Sequence, residues 1–218
     1  MEKSRAQKIL RALRENFEMP RRVTSERNPF QTLVATIISQ NTNDRNTARA
    51  FENLSKQFQI TPEALANAKI DAIEQCLKPA GLYRNKAKTI KQVSAIILEK
   101  FGGTLTSILS LPLEKARSTL LLLPGVGPKT ADVVSLFCSG RPTIPVDTHV
   151  NRVSKRLGLA PQNGDYETVR TALQLLNAQE DFLAVHVLLI QLGRKFCRAL
   201  NPLCGSCPVN ELCPSRRL

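Results

Sequence analysis

A chain of 218 residues can form one large or two small globular domains, and its balance of 42% hydrophobic to 22% charged residues excludes a disordered polypeptide. Lysine and arginine outnumber aspartate and glutamate by 31 to 18, for a formal net charge of +13, so a polyanion, nucleic acid first, is the expected partner. Nowhere do eighteen apolar residues run together, which excludes a membrane-spanning helix and leads us to expect an intracellular protein, cytoplasmic or nucleoid-associated.

In chain order, Met1 to Pro20 reads as an amphipathic charged helix with Ile9, Leu10 and Leu13 on its apolar stripe. Leu33, Val34, Ile37 and Ile38 mark a second helix, which runs into the polar loop SQNTND, Ser39 to Asp44. Ile90, Val93, Ile96 and Ile97 mark a further stripe, and the punctuators Thr61-Pro62, Leu111-Pro112 and Gly102-Gly103 fit helix ends. Val169, Leu173 and Leu176 mark another helix. Period-two alternation is not sustained anywhere. The expected fold is therefore all-α, about ten short helices joined by tight turns, with no linker or internal repeat.

Leu123 to Asp132, LPGVGPKTAD, places two glycines around one valine between an apolar helix end and a new helical pattern. Gly125 and Gly127 let the backbone approach a ligand closely, and the N-H groups that open the following helix suit a phosphate. A GxG turn is weak by itself. Lys129 falls in the first turn of that helix, where the macrodipole disfavours a cation and would lower the amine pKa, as Schiff-base chemistry requires. An exposed lysine that meets phosphate or solvent is the plainer reading of that position. Eighteen residues on, PVDTHVNRV places Asp147 as the N-cap of another helix, a role compatible with catalysis. His149 and His186 have no partner at metal-ligand spacing and read as structural.

Cys197, Cys204, Cys207 and Cys213 form C-x6-C-x2-C-x5-C within seventeen residues. A reducing compartment argues against disulfides, and four soft ligands at this density indicate zinc or an iron-sulfur cluster, which spacing alone does not separate. Cys76 and Cys138 stand alone in apolar helical stretches and read as buried, inert thiols.

LPGVGPKTAD, PVDTH and the four-cysteine pattern, in this order and at these separations, resemble the endonuclease III family of helix-hairpin-helix DNA glycosylases. The loops SQNTND and GLYRNKA (Gly81 to Ala87) fall where that family probes DNA. The resemblance implies two helical lobes, 23–141 with the hairpin and 1–22 plus 142–218 with the cysteines, a 4Fe-4S cluster rather than zinc, and a monomer acting on double-stranded DNA that carries damaged bases or abasic sites. It implies that Lys129 attacks the sugar of a flipped nucleotide, that Asp147 assists, and that side chains at Asn41 and Leu82 fill the gap. The family's usual glutamine is replaced by Asn41, with Gln40 beside it. Pro128 removes one possible phosphate donor, and Arg198 is the single cation between Cys197 and Cys204, so Arg194, Lys195, Arg216 and Arg217 would have to compensate.

Three functions compete on these residues. The first is a bifunctional glycosylase and abasic-site lyase that removes oxidised pyrimidines and nicks 3′ to the site. The second is a mismatch glycosylase removing uracil or thymine opposite guanine, against which Lys129 argues. The third is a non-catalytic helix-hairpin-helix DNA-binding module, which would have no use for Lys129 and Asp147 together.

Overall fold

The computed structural model describes residues 2–19 and 27–217, and all regular structure among them is helical. The first helix, α1 (Glu2–Asn16), belongs to one of two compact units, 1–23 with 142–218; the other comprises 24–141.

Within 24–141 lie α2 (Pro29–Ser39), α3 (Asp44–Gln57), α4 (Pro62–Asn67), α5 (Ile70–Leu77), α6 (Tyr83–Phe101), α7 (Thr106–Leu109), α8 (Leu113–Leu121) and α9 (Pro128–Ser139). Local chemistry starts three of them. Asn28, Asn43 and Thr61 accept from the backbone N-H three residues on, at 3.0, 2.9 and 3.2 Å, and Pro29 and Pro62 sit where a missing N-H does no harm. Left-handed glycines, Gly102 and Gly140, end α6 and α9. The 19-residue α6 packs against α2, α4 and α5, burying Ile90, Val93 and Ile97 among Leu33, Leu65 and Ile73. Each such side chain contributes roughly 1.5–3 kcal/mol. Lys91 Nζ donates to Ala66 O and Ala68 O, both at 2.6 Å, satisfying carbonyls that α4 leaves open.

In the other unit, α1 packs on α11 (Tyr166–Leu176) and α12 (Phe182–Lys195) through Ala6, Ile9, Leu10 and Leu13, and α10 (Thr148–Arg156) packs on α12. Arg5 of α1 donates to Leu157 O, Gly158 O and Leu212 O at 2.6, 2.8 and 3.1 Å. The helix stops at Asn16 rather than continuing towards Pro20, which lies outside the described residues; Phe17 instead turns edge-on to Phe196, with centroids 6.1 Å apart. Twelve α-helices are present among the described residues, more than the stripes suggest, because α7, at four residues, is too short to show a period.

Candidate active site and metal centre

The turn between α8 and α9 depends on the first of its two glycines. Gly125 has φ +72°, and a Cβ there would collide with Thr89 Cγ2 of α6, so the turn lies directly on that helix. Gln40 Nε2 donates to Gly125 O at 2.9 Å, tying the end of α2 to the same turn. Gly127 caps α9 without a side-chain acceptor, and Pro128 occupies the first helical position. The N-H groups of Lys129 and Thr130 therefore have no intrahelical partner, at the positive end of the helix. A phosphate oxygen can dock there. Lys129 is exposed in this first turn. Behind it, Arg117 Nε meets Asp132 Oδ1 at 3.0 Å with both side chains buried, which fixes α8 against α9.

Asn41 and Leu82 share an uncommon backbone. They have φ 53° and 48°, and with Asn201 they are the non-glycine residues of positive φ among those described. Leu82 is 59% exposed, and Asn41 is exposed as well. Gln40 is occupied by Gly125, so Asn41 is the residue that the turn presents. The turn carrying Leu82 is held from beneath by buried Lys86, whose Nζ donates to Ala80 O at 2.9 Å. Nothing in the local pattern GLYRNKA marks Lys86 as buried; its carbonyl partner lies six residues back.

In the other unit, Asp147 caps α10 by accepting Val150 N-H at 2.7 Å. It is half-buried and lines a groove of about 290 Å³ with Asn151, Lys155 and Tyr166. One turn on, Arg152 reaches His149 Nδ1 at 3.2 Å, Gly193 O at 3.1 Å and Cys197 O at 3.0 Å. His149 thus packs against a glycine that leaves it room: a Cβ at Gly193 would stand 3.0 Å from it.

Cys197, Cys204, Cys207 and Cys213 line one cavity of about 230 Å³ with Phe196 and Arg156. Short turns bring them there: Leu203 N-H donates to Phe196 O at 2.9 Å, Cys207 to Cys204 O at 3.2 Å, and Cys213 to Asn210 O at 3.1 Å. Arg156 brackets the loop with bonds to Arg198 O and Ala199 O, at 2.6 and 3.1 Å, and stands 3.6 Å from Cys197 Sγ. Burial pushes the Cys207 and Cys213 thiols up, and the other cysteines facing them raise them further. A set of mutually repelling thiolates calls for a compensating cation. Among the described residues, no three Cys, His, Asp or Glu converge as ligands of a single ion, whereas all four sulfurs surround a shared space. Four cysteine donors around one cavity suit zinc and an iron-sulfur cluster alike. Arg198 and Leu200, the latter 83% exposed, project from the outside of the loop. Arg152 and Arg156, one turn apart on α10, give no sign in sequence of serving a loop more than forty residues away. Cys76 and Cys138 are buried apart from this centre, both thiols raised by burial, and Cys76 Sγ donates to Gln57 Oε1 at 3.0 Å.

Residues 34–178 match the model of the HhH-GPD superfamily base excision DNA repair proteins, and 197–213 match that of the iron-sulfur binding domain of endonuclease III. The chain is 37% identical to endonuclease III of Thermotoga maritima over 86% of this chain and 84% of the relative. It is 33% identical to endonuclease III of Escherichia coli K12 over 98% of this chain and 96% of that one. A trapped endonuclease III-DNA covalent intermediate superposes with a TM-score of 0.85 at 33% identity, covering 98% of this chain and 96% of the other.

Proposed function

This chain belongs to the HhH-GPD superfamily of base excision DNA repair proteins and, within it, to the endonuclease III family, and on that footing we propose how its residues carry out the reaction. It is a bifunctional DNA glycosylase and abasic-site lyase, and its partner is DNA. The substrate we assign is an oxidised or ring-saturated pyrimidine in duplex DNA, turned out of the stack so that its sugar becomes accessible. The working form is a monomer. The 23–141 lobe contributes Lys129 and the turns of Asn41 and Leu82; the lobe of 1–22 and 142–218 contributes Asp147 and the cysteines.

Lys129, as the neutral amine, bonds to C1′ of the deoxyribose; the C1′-N glycosidic bond breaks, and its electron pair leaves with the base, which takes up a proton. As a carboxylate, Asp147 first offsets the positive charge that develops on the sugar, and it then takes up the proton lost by the amine. Ring opening produces the Schiff base. Loss of a C2′ proton then expels the 3′ phosphate oxygen, nicking the strand, and water releases the lysine. Asn41 and Leu82 fill the space left in the duplex, while Gly125, Gly127 and the first N-H groups of α9 hold the phosphate backbone. Cys197, Cys204, Cys207 and Cys213 would hold a 4Fe-4S cluster, which supplies four thiolate-iron bonds that brace the loop bearing Arg198.

The observation that carries this reading is an exposed lysine in the first turn of a helix whose glycine cap leaves its N-H groups open to phosphate. Lys129→Gln should abolish both strand nicking and covalent trapping by borohydride; a variant that still nicks and traps normally refutes the assignment. A panel of duplexes with thymine glycol, uracil opposite guanine, thymine opposite guanine or an abasic site tests the substrate. Base release from thymine glycol is expected, and capture confined to the abasic duplex would reduce the protein to a lyase.

A further inference from the structure

The segment 142–147, which delivers Asp147 to the head of α10, lies outside regular secondary structure. Thr143, Ile144, Pro145 and Val146 are nonetheless buried, so their backbone polar groups need partners other than water. Three side chains of the same unit bond to this segment. Gln174 of α11 donates from Nε2 to Pro142 O at 3.2 Å, and the Tyr166 hydroxyl, at the start of α11, accepts Val146 N-H at 3.3 Å. His186, in the middle of α12, places Nδ1 2.8 Å from Pro145 O. A carbonyl only accepts, so Nδ1 carries the proton.

His186 is 5% exposed on a helix that otherwise buries Phe182, Val185, Leu188 and Leu189. A buried imidazole is costly on that face without hydrogen-bond partners, and Pro145 O is one of them. That carbonyl lies two residues before Asp147, and the Tyr166 contact lies one residue before it. On the other side, Asp147 is pinned by its cap to Val150. The carboxylate is thus held between a helix cap and a side-chain cradle.

We propose that His186, assisted by Tyr166, is a positioning residue for the reaction, holding Asp147 in register through the Pro145-Val146 backbone. This rests on the reading of Asp147 as the residue that assists Lys129. The bond to Pro145 O fixes where the segment ends, and so where the carboxylate begins.

The test uses the full, cluster-loaded chain and measures the single-turnover rate of borohydride trapping on an abasic duplex, together with duplex affinity, visible iron-sulfur absorbance and thermal stability. His186→Leu retains bulk and loses the donor; because displacement by about 1 Å costs up to ~100-fold, trapping should slow by roughly 10- to 100-fold while affinity and absorbance hold. His186→Asn, whose amide nitrogen can stand where Nδ1 stood, should restore the rate to within a few-fold. Leu189→Ala, an apolar truncation on the same helix, should lower stability without slowing trapping in the folded fraction. Tyr166→Phe removes the Val146 acceptor and should slow trapping in the same direction, so it carries the test if His186→Leu does not fold. Wild-type rates in both His186→Leu and Tyr166→Phe, alongside a slow Asp147→Asn, would overturn the positioning role. An Asp147→Asn enzyme as fast as wild type would overturn the underlying reading of Asp147, and this proposal with it.

Discussion

A leucine in left-handed backbone crowds its own Cβ against the following carbonyl, a cost of about 1–2 kcal/mol that the rest of the structure offsets. Leu82 accepts this at φ 48° while leaving 59% of its surface in water, so neither burial nor local comfort explains it. Strain at an exposed apolar tip is what a wedge into DNA requires. Leu82→Asn, which tolerates this conformation, should therefore raise stability by about 0.5–1 kcal/mol and lower base release; urea denaturation and turnover on one preparation check both, and a loss of stability would show that no strain was present. The opposite case is Gly125, where left-handed backbone and the contact with Thr89 act together. Gly125→Ala should destabilise by about 2–4 kcal/mol, and adding Thr89→Ala should recover the steric part but not the backbone part. The glycine is legible in LPGVGPKTAD because only glycine suits such a turn. Leu82 is not, because its conformation depends on Lys86 reaching back to Ala80.

The two helices of the hairpin form a single element because a buried ion pair joins them. Arg117 and Asp132 sit one turn behind Lys129, with Asp132 fully buried. Removing one partner deprives the other buried charge of this contact: Asp132→Ala should cost about 3–5 kcal/mol by urea denaturation, whereas the apolar pair Arg117→Met with Asp132→Leu should cost less than the single change. Most elements can be read from sequence, since Leu33, Val34, Ile37 and Ile38 mark the buried stripe of α2, and Thr61-Pro62 and Asp147 cap their helices as their chemistry dictates. What escapes a linear reading is every contact across long separations. Gln40 meets Gly125 eighty-five residues away, and His186 meets Pro145 at a separation of forty-one. Local propensity has no term for such pairs. Spacing groups the four cysteines but leaves zinc open; the match of 197–213 to the iron-sulfur binding domain of endonuclease III decides for a cluster.

The net charge of +13 makes DNA affinity a function of salt. The logarithm of the affinity should fall linearly with the logarithm of salt concentration, by about 0.9 for each phosphate neutralised. Arg198→Ala should reduce that slope by about one without altering which lesion is preferred. A change of lesion preference would mean that Arg198 touches the base instead. Loss of the cluster should act on the same loop. Its anchors, Arg152 and Arg156, remain, but four metal-sulfur bonds go, so limited proteolysis should cut between 197 and 213 first, in step with the fall in visible absorbance.

The place of α1 in its unit has a consequence for synthesis. Ala6, Ile9, Leu10 and Leu13 are made well ahead of the surfaces that cover them, on α11 and α12. At translation rates of about 5–20 residues per second, that apolar stripe waits roughly ten to thirty-five seconds for its partner. On the ribosome, the residues between 24 and 141 can condense in that interval, while the nascent α1 is left to whatever chaperones shield unpaired hydrophobic surfaces.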